Sequence, residues 1–426
     1  MRMNKKKEIV PKLRFPEFGT SEGWKKYKLR ELADRITKKV GDNKLVTLSI
    51  SAGIGFVSQA EKFSRDISGK QYCNYIYLKK GEFSYNKGNS KTFPQGCIYE
   101  LKEYEEAAVP NAFISFRFKE NLVPSFYQGY FDSNFHGKQL IRFITSGARC
   151  DGLLNISPTD FFSIVLPTPV KKEEQQKIAD CLSSIDELID AESRKLKALE
   201  KYKKGLMQKL FPAEGKTMPE WRFPEFQDCE EWETVKLEKL ALYRRGSFPQ
   251  PYGLPEWYDE KSGMPFIQVF DVDDNMKLKS NTKNKISELA AQQSVFIPKG
   301  TLIITIQGSI GRVAITQYDA YIDRTLLLFE KFFRKIDKTF LAYNLQLLFD
   351  IEKQKAPGGI IKTITKQALS EFLTSIPRIE EQEKIAGCLS EVDTMITEQS
   401  NKVEQLKAHK KGLMQGLFPS LEEADV

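Results

Sequence analysis

The chain has 426 residues, 41% hydrophobic and 29% charged, which is ordinary for a globular protein of two or three domains. Its apolar runs are strand-sized and its start lacks a signal-peptide pattern, so we expect a cytoplasmic protein with no membrane partner. Six cysteines without CxxC spacing and only two histidines argue against zinc, redox and histidine-based sites, while a net charge of +8 favours a polyanionic partner.

An internal repeat with an offset of about 208 residues organises the chain. The opening Pro11–Phe18 (PKLRFPEF) is matched by Pro219–Phe226 (PEWRFPEF). The closing segment Glu174–Pro212 is matched by Glu381–Pro419. Matches this long at both ends predict two copies of one structural unit.

The middles of the two copies, residues from about 45 to 145 and from about 253 to 357, share little sequence. Both contain short strand-like apolar runs, such as Leu45–Ile50 and Thr301–Ile306, and both are predicted to be mixed α/β domains. Equal ends around unequal middles indicate one scaffold that presents two different surfaces.

Each closing segment is predicted to be one long helix, because its apolar residues alternate at spacings of four and three. The predicted seams consist of Ile178, Leu182, Ile185, Ile189, Leu196, Leu199 and Leu206 in the first copy, and Ile385, Leu389, Val392, Ile396, Val403, Leu406 and Leu413 in the second. Polar residues interrupt both seams at matching places, Glu192 with Gln399 and Lys203 with Lys410. We expect the helices, each roughly 60 Å long, to pair as an antiparallel coiled coil whose polar seam residues fix the register.

The predicted fold class is therefore α+β, with two mixed α/β domains in a pseudo-twofold arrangement, separated by two long helices that form an antiparallel coiled coil. The predicted divisions are an N-terminal segment at 1–23, a first domain at 24–170, a first helix at 171–216, a second domain at 217–378, a second helix at 379–419 and a tail at 420–426.

Basic, glycine-punctuated loops in the middles have the composition of DNA-binding loops. Asparagine can read adenine in the major groove, while lysine and arginine contact phosphate or guanine. The candidates are Tyr85, Asn86, Lys87, Asn89, Ser90 and Lys91 in one loop, Gln307, Ser309 and Arg312 in another, and the separate cations Arg142, Arg149, Arg244 and Arg245. Each loop is equally consistent with an exposed structural turn.

No enzymatic motif is complete. Gly53-Ile-Gly55 lacks the context of a nucleotide-binding loop, and Gly215-Lys-Thr217 lacks the earlier glycine of a P-loop. Neither Asn-Pro-Pro-Tyr nor Asp-Pro-Pro-Tyr occurs, so the usual pocket for a flipped base is missing, and no nuclease carboxylate set is recognisable. We expect no catalytic residue, no metal site and no cofactor in this chain.

Together these motifs resemble the specificity (S) subunits of type I restriction–modification systems. The resemblance is carried by both Arg-Phe-Pro-Glu-Phe openings, both Glu-Gln-x-Lys-Ile-Ala helix starts, both Lys-Lys-Gly-Leu-Met-Gln-x-Leu-Phe-Pro endings and the Gly-x-Ile-Gly-Arg loop at 308–312. It implies two target recognition domains, each reading one half of an interrupted, asymmetric site in double-stranded DNA, with the coiled coil setting the gap. It also implies two methyltransferase (modification) subunits that supply S-adenosylmethionine, and restriction subunits that use ATP and Mg.

Two alternatives remain open at this point. One is a divergent stand-alone DNA methyltransferase or nuclease, which methylation of DNA by the purified chain would reveal. The other is a non-catalytic coiled-coil scaffold that binds only protein, which the lack of a basic face on both domains would favour.

Overall fold

The structure is a computed structural model that describes residues 9–88, 93–144, 154–355, 364 and 366–419. The chain divides into two compact units. The first unit comprises Met1–Glu192 and Lys402–Val426, and the second comprises Ser193–Asn401. Each unit thus combines the middle of one copy with a segment of both long helices.

The described part of the first copy combines ten strands with six α-helices. The strands are β1 (Lys25–Lys28), β2 (Ala33–Arg35), β3 (Leu48–Ser51), β4 (Gly55–Ser58), β5 (Ile76–Lys79), β6 (Phe83–Asn86), β7 (Cys97–Glu100), β8 (Glu106–Val109), β9 (Ile114–Phe118) and β10 (Val165–Thr168). The helices are α1 (Leu29–Leu32), α2 (Gln59–Phe63), α3 (Pro124–Asp132), α4 (Phe135–Leu140), α5 (Pro158–Phe161) and α6 (Lys172–Leu210).

The second copy follows a similar order over its described residues. The strands are β11 (Glu233–Lys236), β12 (Ala241–Arg245), β13 (Met264–Ile267), β14 (Asn284–Ile286), β15 (Val295–Ile297), β16 (Leu302–Thr305), β17 (Val313–Ile315), β18 (Ala320–Ile322), β19 (Leu326–Phe332) and β20 (Leu373–Ile376). The helices are α7 (Leu237–Leu240), α8 (Glu288–Ala291), α9 (Lys338–Lys355), α10 (Lys366–Ser370) and α11 (Ile379–Leu417).

A four-stranded antiparallel sheet with the same strand order lies in the described part of each unit. The order is β2-β9-β6-β7 in the first unit and β12-β19-β16-β17 in the second. The strand register allows the two sheets to be aligned residue by residue. The pair Tyr85–Ile114 in the first sheet corresponds to the pair Ile304–Leu327 in the second. The two copies therefore share topology in the middles, where their sequences show little similarity.

A second group of strands packs beside each of these sheets. In the second unit β18 lies between β13, which is parallel to it, and β15, which is antiparallel. In the first unit β8 has an antiparallel neighbour in β5 and a parallel bridge between Thr47 and Ala108. Both β8 and β18 lead through a short turn into one of the two central strands of the four-stranded sheet, β9 or β19.

The long helices α6 and α11 each span 39 residues. In the first unit the start of α6 and the end of α11 share one core, which contains Ile178, Leu182 and Leu417. In the second unit the end of α6 packs against the start of α11, through Leu206 and Leu389 among others. The helices are antiparallel, and the predicted fold class of α+β with two long antiparallel helices is confirmed.

The predicted seam positions all face away from solvent, at least in part. Those that are fully buried are Ile178, Leu182, Ile185, Leu206, Ile385, Leu389, Val392 and Val403. Those that are half-buried are Ile189, Leu196, Leu199, Ile396, Leu406 and Leu413. A four-three alternation keeps one stripe of a helix turned toward its partner, which explains this pattern.

The opening of the first copy holds the start of α6 through a buried ion pair. Both nitrogens of the Arg14 fork donate to the Glu174 carboxylate at 2.8 Å, and the Trp24 indole N–H donates to the same carboxylate at 3.0 Å. The Arg14 and Glu174 side chains are only 8% and 1% exposed. We call this group the first clasp; its bidentate, charge-assisted bonds offset the cost of burying both charges.

The second copy repeats the arrangement, and we call it the second clasp. Arg222 donates to the Glu381 carboxylate at 2.8 and 2.7 Å, and the Trp232 indole donates to it at 3.3 Å. The hydrogen bond to Glu381 raises the pKa of the Arg222 guanidinium above its ordinary value. The clasps give a physical reason for the repeated Arg…Trp…Glu pattern of the sequence.

The glutamine that follows each clasp glutamate joins the long helix to a second helix of its unit. The Gln175 amide oxygen accepts from the backbone N–H of Val123, just before α3. The Gln382 amide oxygen accepts in the same way from Asp337, just before α9. The repeated Glu-Gln pair therefore fixes the position of each domain on its long helix.

Candidate nucleic-acid interface

Loops cluster at one end of each four-stranded sheet, and we call these ends the loop edges. The first loop edge consists of residues 36–39, 86–88, 93–96 and 110–113, and the second consists of residues 244–247, 306–312 and 323–325. Antiparallel register brings these segments together: Arg245 lies beside Leu327, which lies beside Ile304. Neighbouring strands are about 4.8 Å apart, so the second loop edge is compact.

The two loops that the sequence predicted from composition occupy equivalent places. Asn86 and Lys87 begin the connection between β6 and β7, and Gln307–Arg312 forms the connection between β16 and β17. Each connection joins the same pair of strands in its sheet. The amino-acid composition of the loops therefore pointed to equivalent connections in two segments whose sequences could not be aligned.

Tyr85 is a core residue and not a residue of the DNA-facing surface, which corrects the sequence prediction for this side chain. It is fully buried, its ring stacks on Phe161 at 4.7 Å, and its hydroxyl donates to the Gln95 carbonyl. Burial raises the pKa of the Tyr85 hydroxyl well above its ordinary value. The residue alternates inward because β6 has one face on the core.

The neighbouring candidates in the first loop, Asn86 and Lys87, already take part in local hydrogen bonds. Asn86 is half-buried, and its amide oxygen accepts from the Gly88 backbone N–H at 2.9 Å, which closes a turn. Lys87 is half-buried, and its carbonyl accepts from Leu154. The remaining predicted residues, which lie outside the described ranges, are Asn89, Ser90, Lys91 and Arg149.

The Gln307–Arg312 loop presents Gln307 and Ser309 to solvent. Two glycines shape it, since Gly308 and Gly311 adopt φ angles of +69° and +80°, which side chains rarely tolerate. The Arg312 side chain bends away to Asp274, at 2.8 Å, and to the Val272 carbonyl. The role of Arg312 in phosphate binding stays a prediction, and in this geometry its guanidinium is paired with the exposed Asp274 carboxylate.

The separately predicted arginines that the structure describes, Arg142, Arg244 and Arg245, differ in whether a carboxylate pairs with them. Arg142 is exposed and its guanidinium lies 4.8 Å from the Phe143 ring. Arg244 is paired with Glu330, whereas Arg245, which is also exposed, has no carboxylate within ion-pair distance among the described residues. Successive strand residues point to opposite faces, so these two arginines lie on different sides of β12.

The structure also places at the loop edges several residues that sequence reasoning missed. In the first, Lys38 lies 4.3 Å from the Tyr77 ring and Lys39 donates to Asn74. In the second, the Arg324 guanidinium lies 4.9 Å from the Tyr252 ring. Gly41 follows Lys38 and Lys39 closely and is a turn signal that could have drawn attention to them, but only the strand register shows that these residues and Arg324 lie at the loop edges.

Other chemistry is sparse in the part of the chain that the structure describes. No group of three or more His, Cys, Asp or Glu side chains there is arranged to hold a metal ion. No helix there has both the length and the apolarity to cross a membrane. His409 is exposed, whereas burial lowers the pKa of His136 to about 4, so that its imidazole is neutral at physiological pH.

The sequence matches the family model described as the type I restriction modification DNA specificity domain. The match occurs twice, over residues 21–201 and 229–408. The two matched regions include both clasps' tryptophan and glutamate, both loop edges and most of both long helices.

Two curated proteins of Methanocaldococcus jannaschii are similar to the chain. One is a putative type I restriction enzyme MjaX specificity subunit, 28% identical over 304 residues, which covers 69% of this chain and 67% of that protein. The other is the type I restriction enzyme MjaVIII specificity subunit, 27% identical over 291 residues, which covers 64% of this chain and 65% of that protein. The alignments span about two thirds of either relative.

Solved structures resemble the fold over nearly the whole chain. A crystal structure of the S subunit of a type I restriction–modification system from M. genitalium matches with a TM-score of 0.60 and 15% identity, covering 97% of this chain and 100% of that one. A chain from a study of complex assembly and conformational transition of the type I R-M system matches with a TM-score of 0.56 and 16% identity, covering 93% and 98%.

Proposed function

The chain belongs to the family of type I restriction–modification DNA specificity subunits, and on that premise we propose that each of its loop edges reads one half of a bipartite site in double-stranded DNA. The observation that carries the proposal is the pairing of equal scaffolds with unequal edges. Both units have the same strand order and the same clasp, yet the side chains at the two loop edges differ. Two different reading surfaces on one repeated scaffold suit an asymmetric site.

The long helices set the distance between the two half-sites in this proposal. Each has 39 residues, which at 1.5 Å per residue gives a rod of roughly 60 Å. Such a rod exceeds one turn of B-DNA, about 34 Å, so an interrupted site is geometrically reasonable. Altering the length of α6 and α11 together is then expected to alter the gap and not the bases that are read.

Two methyltransferase subunits dock on the repeated parts of the chain in this proposal, because a surface that occurs twice fits two copies of one partner. Restriction subunits join through them. S-adenosylmethionine, ATP and Mg act in those partners, and this chain contributes positioning and sequence reading instead of a catalytic residue.

Affinity for the phosphate backbone comes from exposed cations at the loop edges. Replacement of Lys38 and Lys39 together by alanine is expected to weaken binding to all DNA sequences and to reduce the salt slope by about two. The matched control replaces Lys201 and Lys204, which are exposed on α6 and belong to neither loop edge, and it is expected to leave that slope unchanged. Equal effects of the two double variants would argue against the loop edges as the DNA-facing surface.

The direct test is to co-express the chain with a modification subunit and to map N6-methyladenine across the host genome. We expect methylation confined to one bipartite motif. A stable complex whose methylated adenines share no motif would favour the protein-binding scaffold. Methylation by the purified chain alone, given S-adenosylmethionine, would favour the stand-alone enzyme.

A further inference from the structure

The turn that leads from β18 into β19 is built around a buried carboxylate. Asp323 is 1% exposed, and one of its oxygens accepts from both the backbone N–H and the hydroxyl of Thr325. Its other oxygen accepts from the Tyr252 hydroxyl, and its backbone N–H donates to the Ile267 carbonyl. A fully bonded, buried carboxylate of this kind makes the turn rigid.

Arg324, in the middle of this turn, is exposed, and its guanidinium lies 4.9 Å from the Tyr252 ring. Tyr252 is itself stacked on Phe248 at 4.9 Å between ring centroids. The aromatic face attracts the cation and restricts its rotamers without consuming its hydrogen-bond donors. Arg324 is thus held in place while its donors stay available to a ligand.

Two other arginines of the second loop edge are already paired with carboxylates, whereas Arg245, like Arg324, is exposed and has no carboxylate within ion-pair distance among the described residues. Arg312 is paired with Asp274 and Arg244 with Glu330. Within the residues that the structure describes, no carboxylate lies within ion-pair distance of Arg324. An incoming acceptor would have to displace a carboxylate from Arg312 or Arg244 but not from Arg324.

Arg324 also lies beside the Gln307–Arg312 loop of the same loop edge. The Thr325 carbonyl accepts from the Ile306 backbone N–H at 2.9 Å, which places Arg324 and exposed Gln307 next to one hydrogen-bonded pair. An arginine and a glutamine at neighbouring positions of a rigid edge match the chemistry of base-edge recognition, since arginine pairs with guanine and glutamine with adenine.

The first unit presents an amide at the equivalent position. The pairs Tyr85–Ile114 and Ile304–Leu327 align β9 with β19 residue by residue, and Arg324 then corresponds to Asn111. Asn111 is exposed in the turn between β8 and β9. Both copies therefore place, at one position, a side chain that can make a bidentate contact with a base, and the two side chains prefer different bases.

From this geometry we propose that Arg324 reads a guanine of the second half-site through a bidentate contact to its major-groove edge. Asp323 and Tyr252 are positioning residues that hold the guanidinium in the orientation for that contact. The inference rests on the proposed function, because it names which residue of the second loop edge selects a base.

The test uses the full chain in complex with its modification subunit and compares Arg324→Lys with Arg324→Ala. Lysine keeps the charge but loses the planar fork, so a residue that reads a base is damaged by both changes. We expect both variants to relax the preference at one guanine of the second half-site, on the order of tenfold or more in relative methylation. The first half-site is expected to keep its preference.

The matched control is Arg334→Ala. Arg334 follows the opposite end of β19 and pairs with Glu233, so it belongs to the same domain but not to the loop edge. Its removal is expected to leave the methylated motif unchanged. Tyr252→Phe keeps the ring and loses only the bond to Asp323, and it is expected to relax the same guanine by less than Arg324→Ala does.

Two results would overturn the assignment. If Arg324→Ala lowers methylation equally at all sites and Arg324→Lys restores it, Arg324 contacts phosphate and not a base. If neither variant changes the motif, Arg324 does not face the DNA. A wild-type complex that methylates without any motif would instead refute the proposed function itself, and the assignment with it.

Discussion

The two clasps are alike atom for atom, whereas the two loop edges share only their strand order. In each clasp an arginine fork and a tryptophan N–H converge on one glutamate that is 1% exposed. At the loop edges, exposed Arg324 stands where the other copy has Asn111. A buried, bonded charge tolerates little change, while an exposed side chain on a fixed turn can be exchanged at small cost in stability.

Removal of one whole copy is the strongest way to break this comparison. A fragment that ends at Gly215 keeps α6 but loses α11, so the buried seam around Ile178 and Leu182 lacks its partner. We expect a second copy of the fragment to supply the missing helix, because α6 and α11 carry equivalent seams. Analytical ultracentrifugation should find a dimer, and a monodisperse monomer would contradict the pairing of equivalent helices.

Loss of one clasp is expected to have the next largest effect. Arg222→Ala leaves the Glu381 carboxylate buried without its partner, which typically costs about 3–5 kcal/mol of unfolding free energy. Arg14→Ala in the first clasp is expected to cost a similar amount, as urea denaturation would measure.

The matched control for the clasp variants is Lys236→Ala. Its pair with Glu371 is exposed, at 43% and 58% of the two side chains, and its loss is expected to cost less than about 1 kcal/mol. If the clasp variants cost no more than this control, the clasps would not be what fixes the scaffold.

The sequence was sufficient to predict the helices and the duplication, because both depend on local or repeated patterns. The seams of α6 and α11 follow from a four-three spacing of apolar residues, and this spacing is visible within the sequence of each helix alone. The clasps could have been suspected, since Arg14, Trp24 and Glu174 recur at matching places, but their contact spans about 160 residues and needs the fold.

The loop edges could be predicted only in part. Tyr85 looked like a loop residue, yet strand alternation turns it into the core. Arg312 looked free, yet it meets Asp274 from a distant loop. The equivalence of Arg324 and Asn111 depends on strand register, which no local pattern of these sequences specifies.

His136 makes the pH response of the two units different. Both histidines belong to the first unit, and only His136 is buried. Burial lowers the pKa of His136 to about 4, while an unfolded histidine titrates near 6.5. Between these values the unfolded chain binds a proton that the folded chain does not, so stability falls as the pH falls through this window.

We expect the first unit to lose about 2 kcal/mol at pH 5, relative to pH 7, through His136. Pulse proteolysis in urea, with peptides assigned to each unit, would measure this loss. His136→Gln should remove the additional loss, and His409→Gln, at an exposed position, should not. An equal acid loss in wild type and His136→Gln would mean that carboxylates alone account for it.

The polar residues that interrupt the two seams allow the smallest effect to be compared, because the equivalent lysines Lys203 and Lys410 pair with carboxylates that differ in exposure. In the second unit Lys203 pairs with Asp393 at 2.7 Å, and the Tyr343 hydroxyl donates to the same carboxylate at 2.6 Å. In the first unit Lys410 pairs with Asp186 at 2.7 Å, but the Asp186 side chain is 45% exposed. The second site is drier and holds one more donor.

Asp393→Ala is therefore expected to destabilise the chain more than Asp186→Ala, by about 1 kcal/mol. Loss of Asp393 removes that acceptor from half-buried Lys203 and from the hydroxyl of buried Tyr343, and a buried group that loses its partner costs about 1–3 kcal/mol. Lys410 faces water more and retains Asp132 at 3.8 Å, so Asp186→Ala should cost little. Urea denaturation of both variants decides the matter: equal losses would show that the two breaks contribute alike, and that the added tyrosine bond brings no net stability.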